Sequence, residues 1–205
     1  MKLVKALVGV TALAVAGAAA FTLLRPADVP LQTVSNTQAL SNPKQTPAKV
    51  VRFSLAPSSD AIKKCLPHAK VNVKVELLTD ATGRDVFTVD ASGLKPNTSY
   101  TTFLLEVPGS PFGAAEYFGD VDSDKYGKAH AQFTLIVEEA FASTIVDGKR
   151  VRVELNHVGM WFADPADDDI CFGKGGGPIT PFDGDNEAGV QAFNSANSLP
   201  HAPLP

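Results

Sequence analysis

The cleanest alternation of apolar and polar residues in the chain runs through Val71, Val73, Val75 and Leu77, with Asn72, Lys74 and Glu76 between them. A period of two is the mark of a strand with one dry and one wet face. The same reading gives a strand over Val50–Leu55, another over Asp85–Ala91 with Phe87 and Val89 on one side, and one over Val151–Asn156. Further segments at 114–121, 128–137 and 140–146 continue the series. Asp122-Ser123-Asp124-Lys125-Tyr126-Gly127 reads as the turn of a hairpin between the first two of these, and Asp147-Gly148 as a second turn. Ser59 or Asp60 caps a short helix over Ala61–Cys65. His157-Val158-Gly159-Met160-Trp161-Phe162 is apolar without alternation and is expected to cover one end of the fold.

Short strands at short spacing with almost no helical periodicity predict an all-β chain. The expected form is an antiparallel two-sheet sandwich of seven to nine strands, with a closed barrel as the other arrangement. A long irregular C-terminal loop segment follows residue 162. It includes a glycine run (Gly173, Gly175, Gly176, Gly177) that lacks the Lys-Ser/Thr ending of a phosphate loop.

One stretch says more about architecture. Gly93-Leu94-Lys95-Pro96-Asn97-Thr98-Ser99-Tyr100 joins the end of one strand to the start of the next, Tyr100–Val107. Pro96 fixes its own φ and biases Lys95 to extended backbone, while Asn97 and Thr98 suit a tight corner. Leu94, Pro96, Thr98 and Tyr100 match the Leu-x-Pro-x-Thr-x-Tyr corner of fibronectin type III and related immunoglobulin-like domains, which this segment resembles. The resemblance implies an immunoglobulin-like sandwich, with the tyrosine hydroxyl bonded to backbone upstream. It implies no function. As a whole the chain is similar to exported bacterial proteins, a likeness that also carries no function.

The N-terminus sets the compartment. Lys2 and Lys5 precede an uncharged, mostly apolar run from Ala6 to Leu24, with small-residue cleavage sites at Ala16–Ala18 and Ala18–Ala20. Residues 1–25 therefore read as a signal peptide or an N-terminal anchor. Residues 26–48, rich in Pro, Gln, Thr, Ser and Asn, read as a flexible linker. The folded domain is expected over 49–196, and a loose tail over 197–205. The protein is thus expected outside the cell, secreted or anchored at the surface by its N-terminal segment, its one membrane contact. Without Lys2, Lys5 and Arg25 the chain keeps 15 of its 18 basic residues against 22 acidic ones, a charge near −7. That balance argues against a nucleic-acid surface. The cysteines, Cys65 and Cys171, are expected to bridge in an oxidising compartment.

The chemical candidates lie late in the chain. Asp164, Asp167, Asp168 and Asp169 cluster, and Asp183, Asp185 and Glu187 alternate. Calcium takes six to eight oxygen ligands from such loops, yet the sixth position counted from Asp183, where a glycine is needed, is Ala188, and Gly189 falls one late. A calcium site and solvated acidic loops both stay open; no other cofactor is indicated. Trp161, Phe162 and Phe172 are either an aromatic ligand platform or the seal of the sandwich end, the latter preferred. The four histidines (His68, His130, His157, His201) show no metal-ligand spacing, and no nucleophile motif is present. The expectation is a monomeric, non-catalytic module that binds an extracellular protein, glycan or wall component through loops at one end. The alternatives are a hydrolase using an Asp/Glu pair in the late loops and a calcium-stabilised structural module.

Overall fold

The alternating segments become strands where the pattern places them. A computed structural model describes residues 49–181, 187–195 and 202–205. The leader, the linker, Asp183, Asp185 and residues 196–201 lie outside the described residues. β1 (Lys49–Pro57) is followed by α1 (Asp60–Cys65), whose cap is Ser59, its hydroxyl accepting from the Ile62 amide at 3.3 Å. Then come β2 (Lys70–Leu77), α2 (Thr79–Thr82), β3 (Asp85–Ser92), β4 (Ser99–Leu105), β5 (Ala115–Asp122) and β6 (Ala129–Leu135). β7 (Phe141–Val146), β8 (Lys149–Glu154) and β9 (His157–Phe162) lead to a 3-10 turn (Pro165–Asp168), α3 (Asp169–Phe172) and three short strands. These are β10 (Thr180–Pro181), β11 (Glu187–Ala188) and β12 (Gln191–Asn194).

The chain is all-β and antiparallel. Eight strands form one sheet in the order β5-β4-β9-β12-β1-β2-β3-β6. The sheet folds into two halves that face each other. β1 belongs to both: Lys49–Leu55 pair with β2, while Ala56 and Pro57 pair with β12. The far edges also meet, because Phe118 of β5 packs against Phe133 of β6 with ring centroids 5.2 Å apart. Gly119 permits this approach, since a Cβ there would collide with the Phe133 ring. The sandwich is therefore joined along one side by hydrogen bonds and closed along the other by side chains, part of the way to a barrel.

Three expectations about individual segments change. The segments 114–121 and 128–137 are not a hairpin. The turn exists, but β5 pairs with β4 and β6 with β3, in opposite halves. Ser123 holds the turn against the corner, its amide donating to Thr98 O and its hydroxyl to Lys95 O, so the chain crosses between halves there. Residues 157–162 do not lie across an end. They are β9, a central strand between β4 and β12, and five of its six residues are buried. A strand covered on both faces has no reason to alternate. Within the tail expected over 197–205, the described residues 202–205 are not loose: Leu204 is buried, and its amide donates to Asn156 O at 3.2 Å.

One core fills the space between the halves. Val71, Val73, Val75, Phe87 and Val89 face Tyr100, Leu104, Val158, Met160, Phe162 and Phe193. The outer face of the β4–β9 half is also dry, with Phe103, Leu105, Trp161 and Ala188 clustered there and Phe112 packed on them. The outer face of the β1-β2-β3-β6 half is the wet one.

The Pro96 corner has the form its residues predict. The Tyr100 hydroxyl accepts from the Lys95 amide at 3.1 Å, and its ring is fully buried. Gly127, at φ +69°, lies where a Cβ would collide with Leu94 O, so the 123–127 turn sits directly on the corner. Lys95 Nζ reaches Asp167 Oδ1 at 2.8 Å and so ties the corner to the late segment.

Candidate functional site

The wet face is built by register. β1, β2, β3 and β6 alternate, so every second side chain points away from the core. The pairings Ser54↔Asn72, Asn72↔Asp90 and Asp90↔His130 place four polar residues in one row across four strands. Ser54 Oγ donates to Asn72 Oδ1 at 2.9 Å, and His130 Nδ1 lies 2.7 Å from Asp90 Oδ1. Asp90 and His130 stay about two-thirds exposed, their side chains 63% and 68% accessible. Two depressions flank the row. One, of about 530 Å³, is lined by Asn72, Asp90, Asp122, Asp124, Lys128 and His130. The other, of about 440 Å³, is lined by Arg52, Ser54, Asn72, Lys74 and Asp90, among others. Asn72 and Asp90 line both, so the two depressions adjoin along the row.

The residue types match hydroxyl recognition. A carboxylate and an amide oxygen accept hydrogen bonds, while an amide nitrogen, an ammonium and an imidazole donate. Asp124 also shapes the rim: its carboxylate accepts from the Tyr126 and Lys128 amides at 2.8 and 2.9 Å, and these bonds hold its pKa below the usual value. In the sequence Asn72 reads as the wet position of an amphipathic strand, His130 as one of four unclustered histidines, and Asp122 and Asp124 as residues of a turn; only register brings them together.

Asp164, Asp167, Asp168 and Asp169 take separate structural roles. Asp164 caps the 3-10 turn, accepting from the Ala166 amide at 2.8 Å. Asp167 pairs with Lys95, and Asp169 accepts from the Gly175 amide at 2.7 Å. Asp168 is buried under Gly177 and Gly189 and accepts from the Val190 amide at 2.8 Å. Desolvation raises its pKa, reinforced by Asp169 and Asp167, against the Val190 bond and Lys95. Glu187 is exposed on β11. Among the described residues, no three His, Cys, Asp or Glu side chains gather as a metal cluster would.

The aromatic candidates also separate. Trp161 and Phe162 are buried on opposite faces of β9, Trp161 edge-on to Phe103 and Phe112, and Phe162 against Tyr100. Phe172 is half-buried against the core. They seal the fold and present no exposed platform. Cys65 and Cys171 are bonded, with their Cα atoms 5.2 Å apart, which staples α1 to α3.

One pairing was invisible in the sequence. Ser195 Oγ lies 3.2 Å from His157 Nδ1. Ser195 is fully buried and its hydroxyl accepts from the Val158 amide, so it ties β9 to the chain beyond β12 and offers no accessible nucleophile. Burial lowers the His157 pKa.

Among the described residues no helix is long and apolar enough to cross a membrane. No family model matches the chain, and no curated protein matches its sequence.

Proposed function

We propose that this protein is an exported, non-catalytic binding module that takes a glycan or a hydroxyl-rich wall polymer along the outer face of β1, β2, β3 and β6. The row Ser54–Asn72–Asp90–His130 carries this reading. It offers exposed donors and acceptors across four strands, between two open depressions, which suits a chain-like ligand better than an enclosed small molecule. The open surface supplies hydrogen bonds without the water exclusion on which bond cleavage relies. Export rests on the apolar leader, and the Cys65–Cys171 bond agrees with an oxidising compartment. The site differs from the late loops expected from sequence, because Trp161 and Phe162 are committed to packing.

The test is co-sedimentation with insoluble polysaccharides and purified cell wall. Wild type is expected to bind at least one of them. Asn72→Ala and Asp90→Ala each remove a hydrogen bond and are expected to weaken binding about tenfold, the equivalent of roughly 1.4 kcal/mol. No binding to any of these polymers, or variants that bind as tightly as wild type, would refute the reading.

A further inference from the structure

The strands β7 and β8 form a two-stranded ribbon outside the main sheet. It is rooted at its base, where the Leu155 amide donates to Ala140 O at 3.0 Å and both side chains are buried. Its two edges are defended unequally. Proteins protect exposed strand edges with charges, prolines or bulges. β8 carries Lys149, Arg150, Arg152 and Glu154. β7 reads Phe-Ala-Ser-Thr-Ile-Val, with no charge, proline or glycine, and Phe141, Ile145 and Val146 are 51%, 57% and 50% exposed. Its outward edge pairs with no strand among the described residues.

We infer that the β7 edge is a self-association surface, pairing antiparallel with β7 of a second copy about a twofold axis at Ser143. Side chains that face each other across antiparallel strands lie on the same side. An axis at Ser143 therefore sets Phe141 opposite Ile145 of the second copy, twice, as aromatic–β-branched pairs of the kind that favour sheet pairing. Arg152 stacks over the Phe141 ring at 3.9 Å and fixes it on that face. Charge selects the same arrangement. The ribbon tip is net positive (Lys149 and Arg150 against Asp147), and its base carries Glu138 and Glu139. Antiparallel pairing brings each tip toward the other copy's base, whereas parallel pairing would set tip on tip. The monomer expected from sequence becomes a dimer with a continuous β8-β7-β7-β8 sheet.

The test is sedimentation velocity of the full-length chain in mild non-ionic detergent from about 1 to 200 µM, with Ser143→Lys, Ser143→Glu and their equimolar mixture. Wild type is expected to show a concentration-dependent dimer. Each variant places like charges on the axis and is expected to dimerise at least tenfold more weakly; the mixture restores a dimer. Ser143 is exposed, so an unchanged unfolding midpoint verifies the fold of each variant. A wild type that stays monomeric throughout, or a Ser143→Lys variant that associates as wild type does, overturns the inference. Association through the N-terminal apolar run would survive both substitutions and so counts against it.

Discussion

The Lys95 amide donates to the Tyr100 hydroxyl across 3.1 Å, and the turn of chain between them is the junction of the fold. The 123–127 turn rests on it, Asp167 reaches it through Lys95, and Ala163 donates to Ser99 O beside it. Burial raises the Tyr100 pKa, against the Lys95 bond, so the ring stays neutral and the phenolic oxygen serves as an acceptor. Tyr100→Phe leaves the amide without its partner at a part-buried site. The expected loss is about 1–2 kcal/mol, read as a lower urea midpoint at unchanged m-value.

Asp85 makes a second junction. Its Oδ1 accepts from the Leu78 and Thr79 amides, and its Oδ2 from the Val137 and Glu138 amides, at 2.6–3.0 Å. Desolvation raises its pKa, but the four amides outweigh it and the net shift is downward. A folded pKa below the unfolded one gives stability that is present above the unfolded value of about 4 and lost as pH falls through the folded one. Asp85→Asn turns an NH₂ group toward amides that need an acceptor. A loss of about 3 kcal/mol at pH 7 is expected, together with a shallower decline on acidification, measured by urea unfolding between pH 7 and 3.

Asp168 is buried too, yet its shift has the opposite sign. A folded pKa above the unfolded one means the ionised form weakens the fold, so this group's contribution improves as pH falls through the folded value toward the unfolded one. Asp168→Asn keeps an acceptor for the Val190 amide and removes the buried charge. It is expected to be neutral or stabilising at pH 7, in contrast to Asp85→Asn. A thermal midpoint that falls as far as that of Asp85→Asn would show that the charge itself is needed.

The disulfide spans 106 residues. Loop-closure entropy for a loop of that size corresponds to about 4–5 kcal/mol, less any strain. Reduction is expected to lower the thermal midpoint by roughly 10 °C, given about 2–4 °C per kcal/mol at this size. The Cys65→Ala/Cys171→Ala variant should unfold at the same reduced midpoint and no longer respond to reductant.

What the sequence revealed followed solvent exposure. β2, β3 and β8 were legible because one face is wetter than the other, and the corner because Pro96 and Tyr100 act on backbone a few residues away. β9 and β12 were illegible as strands, since dry surroundings on both faces erase alternation. The 122–127 turn was visible, but its strands choose partners elsewhere in the chain. The same limit hid the roles of Asp85 and Asp168 and the assembly of the Ser54–Asn72–Asp90–His130 row. Their partners come from distant segments, and only register assembles them.

The position of β12 imposes an order on assembly. These four residues, near the end of the chain, sit between β9 and β1, the first described strand. Ser58 makes the seam, its amide donating to Ala192 O and its hydroxyl to Gln191 O. Until residue 194 has been made, both neighbouring strands keep bare edges, and the two halves are not joined there by hydrogen bonds. A chain growing from its N-terminus thus cannot close before β12 is made, and the loop-closure entropy between β1 and β12 is met only then. A chain that stopped short of Gln191 would lack its keystone and expose two strand edges to its neighbours.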